Sequence, residues 1–152
     1  EAVAEYTKLS SVLKLSYVPN EGDILNITYP KSLDLYNAAL KYPDVGFFFT
    51  DWVEVNEQFQ SLTYGPGFAF GYGKYRREDY KGNIWDVCDQ HNINPKTIRF
   101  NIGMPNHARI WRKDVYDKIG RHNRFVSVAD DYELIVRTFL ETKMVHIRKL
   151  LY

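Results

Sequence analysis

The chain has 152 residues, of which 45% are apolar and 26% charged, and its 20 basic and 19 acidic side chains leave a net charge of +1. This apolar share excludes a disordered chain, the near-neutral charge argues against a dedicated nucleic-acid binder, and the length predicts one domain over residues 1–152, or part of one. The aromatic share of 16% is the unusual value. Cys88 is the single cysteine, so the chain builds no internal disulfide, and a reducing compartment is the simplest interpretation.

The first part of the chain predicts two helices separated by a turn. Residues 1–15 follow a helical spacing, and residues 12–18 alternate enough to form a strand. Residues 19–23, Pro-Asn-Glu-Gly-Asp, are a strong turn signal. A second helix fits Ser32 to Tyr42, with Ser32 as its N-cap. Both chain ends interrupt regular patterns, so we expect the chain to be part of a longer domain.

The middle of the chain combines a buried strand with an aromatic loop. The continuous apolar run Val45–Thr50 is typical of a strand that is buried on both faces. Residues 64–75 hold four glycines and five aromatic side chains, which need either burial or a ligand. Residues 76–100 are charged and mixed in character. We expect a short helix among them, anchored by Ile84, Trp85 and Cys88.

The last part of the chain predicts two helices and a strand. A short helix fits Arg112 to Ile119, with Gly120 in the left-handed position that follows a helix. A longer helix spans Asp130 to Glu141, and residues 144–151 are the last strand candidate. Because helices alternate with apolar strands, the predicted fold class is α/β.

Two adjacent carboxylates, Asp130 and Asp131, begin the longer predicted helix. The helix dipole and the free N–H groups at a helix start stabilise negative charge there. Acidic residues are favoured in a first helical turn for that reason alone. The pair therefore indicates either a functional carboxylate or an ordinary helix start.

The C-terminal third carries several motif pieces in a fixed order: Arg112, Ile119-Gly120, Phe125, Asp130-Asp131-Tyr132-Glu133-Leu134 and Arg137. In this combination, residues 103–152 resemble the C-terminal half of the family 2 glycosyltransferases, which have the GT-A fold. Residues 35–52 look like the helix and strand after the metal-binding turn of that family. The resemblance implies a mixed sheet flanked by helices, without the N-terminal nucleotide-binding βαβ unit, which would precede residue 1.

The same resemblance implies an inverting glycosyltransferase of polysaccharide biosynthesis. Such an enzyme moves a sugar from a nucleotide-sugar donor to a saccharide or other hydroxyl acceptor. Asp131 would be the general base that takes the proton of the acceptor hydroxyl, and Asp130 beside it would orient the site or contact the acceptor. A well-positioned general base accelerates a reaction about 10²- to 10⁴-fold.

The family binds a divalent cation, Mn²⁺ or Mg²⁺, through an Asp-x-Asp motif. The matching turn of this chain offers Glu21 and Asp23 as stand-in metal ligands. Carboxylate oxygens suit such cations, and the metal neutralises a leaving diphosphate. A solvated turn without any metal is an equal interpretation of these residues.

Four further residues are candidates for donor or acceptor binding by the resemblance. Asp51 and Trp52 follow the apolar strand, where ligand crevices of α/β sheets lie. His107 and Arg109 belong to the segment that approaches the donor phosphates in the family, and an arginine can pair bidentately with phosphate. A capping carboxylate at Asp51 and a surface basic cluster at Arg109 are the alternative interpretations.

Two other functions stay open: a non-catalytic carbohydrate-binding or scaffolding relative of that fold, and an α/β interaction domain whose acidic pair only begins a helix. Apolar runs in this chain fall far short of the ~18 residues that span a bilayer. We therefore expect no transmembrane segment in this chain, and a cytoplasmic protein or one attached to a membrane through other segments. The rings of Tyr64, Phe68, Phe70, Tyr72 and Trp85 are candidates for stacking on a sugar, or for packing the domain.

Overall fold

The computed structural model describes residues 29–100, 105–106 and 108–151. The predicted helix over residues 1–15, the strand over residues 12–18 and the turn over residues 19–23 lie outside this range. Within it, the chain forms a mixed α/β structure, which confirms the predicted class.

A three-stranded sheet forms the centre of the structure. Strand β1 spans Val45–Asp51, β6 spans Arg109–Trp111 and β7 spans Lys143–Leu150, and β1 lies between the other two. β1 pairs antiparallel with β6 and parallel with β7, so the sheet is mixed. Every residue of β1 is buried, as its apolar run predicted.

Helices cover both faces of this sheet. Helix α1 spans Tyr29–Lys41, α2 spans Lys113–Lys118 and α3 spans Asp130–Glu141. Ala39 of α1 packs against Phe48, whereas Ile135 of α3 packs against Phe47 and Phe49. Because successive side chains of a strand point to opposite faces, α1 and α3 lie on opposite sides of β1.

Two small hairpins extend the structure after β1. Strand β2, Glu54–Val55, pairs with β3, Ser61–Leu62, and β4, Lys74–Tyr80, pairs with β5, Asn83–Asp89. The predicted short helix anchored by Ile84, Trp85 and Cys88 is therefore wrong, because these residues belong to β5. Lys81 and Gly82 both have positive φ, which is the two-residue turn that joins twisted antiparallel strands.

The remaining boundaries follow the sequence closely, with one correction. Helix α1 begins at Tyr29, so the predicted N-cap Ser32 lies inside the helix, and Pro30 occupies the first turn, where proline is tolerated. Helix α2 is followed by Gly120 with φ of +84°, as predicted. Helix α3 has the predicted bounds, and Leu134, Ile135 and Thr138 form its buried stripe. None of the helices in the described ranges is long and apolar enough to cross a membrane.

Candidate functional site at the carboxyl end of β1

Asp131 lies in the first turn of α3 with both carboxylate oxygens engaged. Its Oδ2 accepts a hydrogen bond from Arg109 Nη2 at 3.0 Å, and its Oδ1 accepts one from the backbone N–H of Tyr132 at 2.8 Å. The side chain is nevertheless 37% exposed. Each carboxylate oxygen has two lone pairs, so Asp131 combines a fixed orientation with remaining capacity to accept a proton. Asp130, its neighbour, is half-buried in the same turn.

Arg109 joins Asp131 to the segment that leads into β6. Its Nε donates to the carbonyl oxygens of Pro105 at 2.5 Å and Asn106 at 3.2 Å, while its Nη2 contacts Asp131. Only 13% of the side chain is exposed. The guanidinium therefore donates its hydrogen bonds to oxygen atoms of the protein itself, and the predicted contact with a donor phosphate stays a prediction.

Asp51 is the centre of a buried polar cluster at the end of β1. Its Oδ2 accepts from Arg76 Nη1 at 2.7 Å, its Oδ1 lies 2.6 Å from His146 Nε2, and the backbone N–H of Gln90 lies 3.4 Å from the same Oδ1. Asp51 itself is fully buried. Of the two side chains that contact Asp51, only Arg76 is partly exposed, so a ligand at this end of the sheet would contact Arg76 rather than Asp51.

The two carboxylates lie at the same end of the sheet. β1 ends at Asp51, and the antiparallel strand β6 begins beside it at Arg109. Thr50 fastens the two strands, since its backbone N–H donates to Ala108 O at 3.2 Å and its Oγ1 accepts from Ala108 N at 3.0 Å. This end is where ligand crevices lie in open α/β sheets. The fold therefore brings three of the predicted site residues, Asp51, Arg109 and Asp131, to the same end of the sheet.

Trp52, the next predicted site residue, is buried against Phe68, Ala69 and Tyr75. Its indole Nε1 and the Oε1 of Gln90 have no hydrogen-bond partner within the described ranges. Cys88, which pairs with Trp52 through the backbone, is also buried. Burial and the nearby Asp51 and Asp89 charges raise the pKa of the Cys88 thiol to about 12, so this thiol stays protonated at neutral pH.

Arg137, part of the motif that carries the resemblance, connects α3 to the end of α2. It forms two hydrogen bonds of 2.6 Å with Glu133, one turn earlier in α3. It also donates to the carbonyl oxygens of Ile119 and Arg121. The carbonyl groups left unpaired at the end of a helix need such donors, so Arg137 fixes the turn that leads towards Asp131.

The contacts to Asp51 from Arg76 and His146 were not predicted, because they join segments 25 and 95 residues apart. The only sequence signal was a histidine inside the apolar strand candidate 144–151. A polar residue in such a strand requires a buried partner. His107, Glu21 and Asp23 lie outside the described residues. Within the described part, no group of three or more His, Cys, Asp and Glu side chains could hold a metal ion.

Comparison with known proteins identified no relative of this chain: no protein-family model, curated protein or solved structure matches it.

Proposed function

We propose that this chain is part of an inverting glycosyltransferase of the GT-A fold, with Asp131 as its general base. The observation that carries the proposal is the Arg109–Asp131 pair. In this pair, Arg109 orients a partly exposed carboxylate at the start of a helix, at the end of the sheet where Asp51 also lies. The order of motifs over residues 103–152 supports the same family.

The reaction requires one proton transfer and one displacement. Asp131 takes the proton of an acceptor hydroxyl while that oxygen attacks the anomeric carbon of a nucleotide-sugar. The bond from that carbon to the diphosphate breaks on the opposite face, and the nucleoside diphosphate leaves with the electron pair. A carboxylate that Arg109 holds in one orientation is suited to this step, because general-base catalysis depends on geometry before basicity.

A divalent cation such as Mn²⁺ or Mg²⁺, when bound, would neutralise the charge of the leaving diphosphate. Glu21 and Asp23 remain the proposed ligands, since carboxylate oxygens are the donors that these cations prefer. We propose a cytoplasmic setting, in agreement with the single buried cysteine.

The test is Asp131→Asn in the full-length protein, with transfer measured from a panel of nucleotide-sugars to saccharide acceptors. Because the amide cannot accept the proton, we expect turnover to fall about 10²- to 10⁴-fold without loss of the folded state. The matched control is Asp114→Asn, which changes an exposed carboxylate in the first turn of α2. Unchanged turnover in Asp131→Asn would reject Asp131 as the base.

A second candidate is a non-catalytic carbohydrate-binding relative, which the exposed aromatic rings of the 64–75 segment favour. Calorimetric titration with a nucleoside diphosphate and Mn²⁺ separates the two functions. The glycosyltransferase predicts binding heat from the full-length protein, whereas the carbohydrate-binding relative predicts heat only with saccharides.

A further inference from the structure

Three aromatic side chains form a connected surface near the start of α3. The rings of Phe70 and Tyr72 both pack against Phe100, with centroid distances of 5.8 Å and 5.7 Å. We call Phe70, Tyr72 and Phe100 the aromatic platform. Phe70 is 62% exposed and Tyr72 is 41% exposed, although both contact Phe100. The Tyr72 ring also packs against His91, with a centroid distance of 5.5 Å, so the platform is an ordered set of rings whose most exposed member is Phe70.

The loop that carries Phe70 is shaped by tight contacts. Ala69 and Phe70 both adopt left-handed backbone conformations, with φ of 47° and 54°, which cost about 1 kcal/mol or more for a residue other than glycine. Gly73 lies against Phe68 so closely that a Cβ atom there would come within 2.2 Å of the ring. The ring of Phe68 stacks in turn on Tyr64 and Tyr75. This packing holds Phe70 outward in spite of the backbone cost.

Phe100, the third member of the platform, lies in a turn that is hydrogen-bonded to the candidate site. Phe100 ends a short 3₁₀ turn, Ile98–Phe100, and Ile98 packs into the core beside Ile135 of α3. The hydroxyl of Tyr132 donates to the carbonyl oxygen of Ile98 at 3.1 Å. Tyr132 directly follows Asp131 in the first turn of α3. This hydrogen bond therefore links the first turn of α3, which holds the proposed base, to the 3₁₀ turn that ends at Phe100.

We propose that the aromatic platform binds the saccharide acceptor by stacking on its sugar rings, with the acceptor hydroxyl directed towards Asp131. This inference rests on the proposed function and adds the surface that binds the acceptor. A pyranose presents a face of C–H groups, and the electron-rich face of an aromatic ring attracts their partial positive charge. The Tyr72 hydroxyl adds a polar group at the edge of the surface, which suits a ligand covered with hydroxyls.

The size of the platform favours a sugar over a protein partner. With ~200 Å² per aromatic residue, the exposed fractions of Phe70 and Tyr72 correspond to roughly 200 Å² together. A specific protein interface needs about 800 Å² from each partner. An area of this size matches one or two sugar rings, and the proposed base, which is linked to the platform through Tyr132, needs a hydroxyl-bearing substrate.

The first test measures saccharide binding without catalysis. Cello-, malto-, chito- and xylopentaose are titrated into the full-length protein by calorimetry, in wild type and in Phe70→Ala. We expect at least one pentaose to bind, and Phe70→Ala to weaken it about three- to tenfold, the range for the loss of one stacking contact. The matched control is Phe59→Ala, because Phe59 is also exposed at 78% and also has a left-handed φ of 56°.

Two substitutions of Tyr72 distinguish the contribution of its ring to binding from that of its hydroxyl. Tyr72→Phe keeps the stacking face, and we expect it to retain most of the affinity that Tyr72→Ala loses. If no pentaose binds, or if Phe70→Ala and Phe59→Ala bind equally well, the platform is not a saccharide site. A shift of the wild type alone towards a dimer in sedimentation, abolished in Phe70→Ala, would also overturn the proposal in favour of self-association.

The transfer assay distinguishes failure of this inference from failure of the proposed function. If the wild type transfers sugar, we expect Phe70→Ala to raise the KM for the acceptor and leave the KM for the nucleotide-sugar unchanged. Transfer with an unchanged acceptor KM would overturn the platform and leave the glycosyltransferase intact. Saccharide binding without any transfer would retain the platform and reject the glycosyltransferase.

Discussion

His146 and Asp51 meet across the parallel strands β1 and β7, with the imidazole Nε2 2.6 Å from the carboxylate Oδ1. Since the carboxylate only accepts hydrogen bonds, Nε2 is the donor. Both side chains are almost completely buried, and the His146 ring also stacks on Phe49 with a centroid distance of 4.9 Å. Arg76 from the β4–β5 hairpin and the backbone N–H of Gln90 also contact the carboxylate. Asp51 therefore connects the central sheet to the hairpin.

We expect Asp51→Ala to lower the free energy of unfolding by about 1–3 kcal/mol, because it leaves the buried His146 without its acceptor, whereas the partly exposed Arg76 keeps Glu78. Urea unfolding measures the change. The control is Asp44→Ala, since Asp44 pairs with Lys143 at an exposed site, where a loss of about 0.5 kcal/mol or less is expected. Equal stability of the two variants would show that the Asp51 cluster contributes no more than a surface pair.

The sequence predicted β1 and α3 because their patterns are local. Seven buried residues in β1 appear as an apolar run, and the acidic first turn with an apolar stripe marks α3. The sequence indicated a ligand crevice at Asp51 from the general position of such crevices in α/β sheets. The Arg109–Asp131 contact that brings Asp131 to the same end joins residues 22 positions apart, and no local pattern contains it.

The β4–β5 hairpin and the Asp51 cluster were not predictable in the same way. Charged residues dominate β4, and β5 mixes apolar and polar residues, so the spacing in β5 does not separate a strand from a short helix. The turn at Lys81-Gly82 was the better signal. The contact of His146 with Asp51 depends on the register of β1 with β7, which no local pattern contains.

Gly46 offers a test of packing between β1 and the helices. A Cβ atom at Gly46 would lie 2.5 Å from Thr142 Oγ1 and 2.6 Å from Val115 Cγ2, and Thr142 Oγ1 already accepts the Gly46 N–H. We expect Gly46→Ala to cost about 1–3 kcal/mol of unfolding free energy, as overpacking does. Gly67→Ala is the matched control, because a Cβ there meets nothing within 4 Å and its φ is −84°. A Gly46→Ala protein as stable as wild type in urea would contradict this packing.

The pairing of Glu133 with Arg137 predicts a dependence on pH. Hydrogen bonds from Arg137 lower the pKa of Glu133 below its ordinary value of 4.5. Because the folded pKa is the lower one, the pair stabilises the protein above the unfolded pKa, and this stabilisation is lost as the pH falls through the folded pKa. We expect a ¹³C NMR titration of Glu133 to give a midpoint below 4.5.

Arg137→Met should return the Glu133 midpoint towards the ordinary value, because the variant removes both hydrogen bonds. Arg124→Met is the control, since Arg124 is an exposed arginine in the loop before α3. The same low midpoint in both variants would assign the lowered pKa to another cause, such as the start of α3.

Two possible roles of Arg109, positioning Asp131 and binding the donor phosphate, predict different kinetics. If Arg109 positions Asp131, Arg109→Met should lower kcat about 10²-fold, the effect expected when a catalytic group is displaced by about 1 Å, with little change in the KM for the nucleotide-sugar. If Arg109 instead binds the donor phosphate, that KM should rise. Arg109→Lys should recover little activity, because an ammonium cannot hold the Asp131 carboxylate and the Pro105 carbonyl in the same geometry. Arg77→Met, which removes an exposed arginine of β4, should leave both constants unchanged, and a kcat loss in that control would mean that the assay reports general loss of charge.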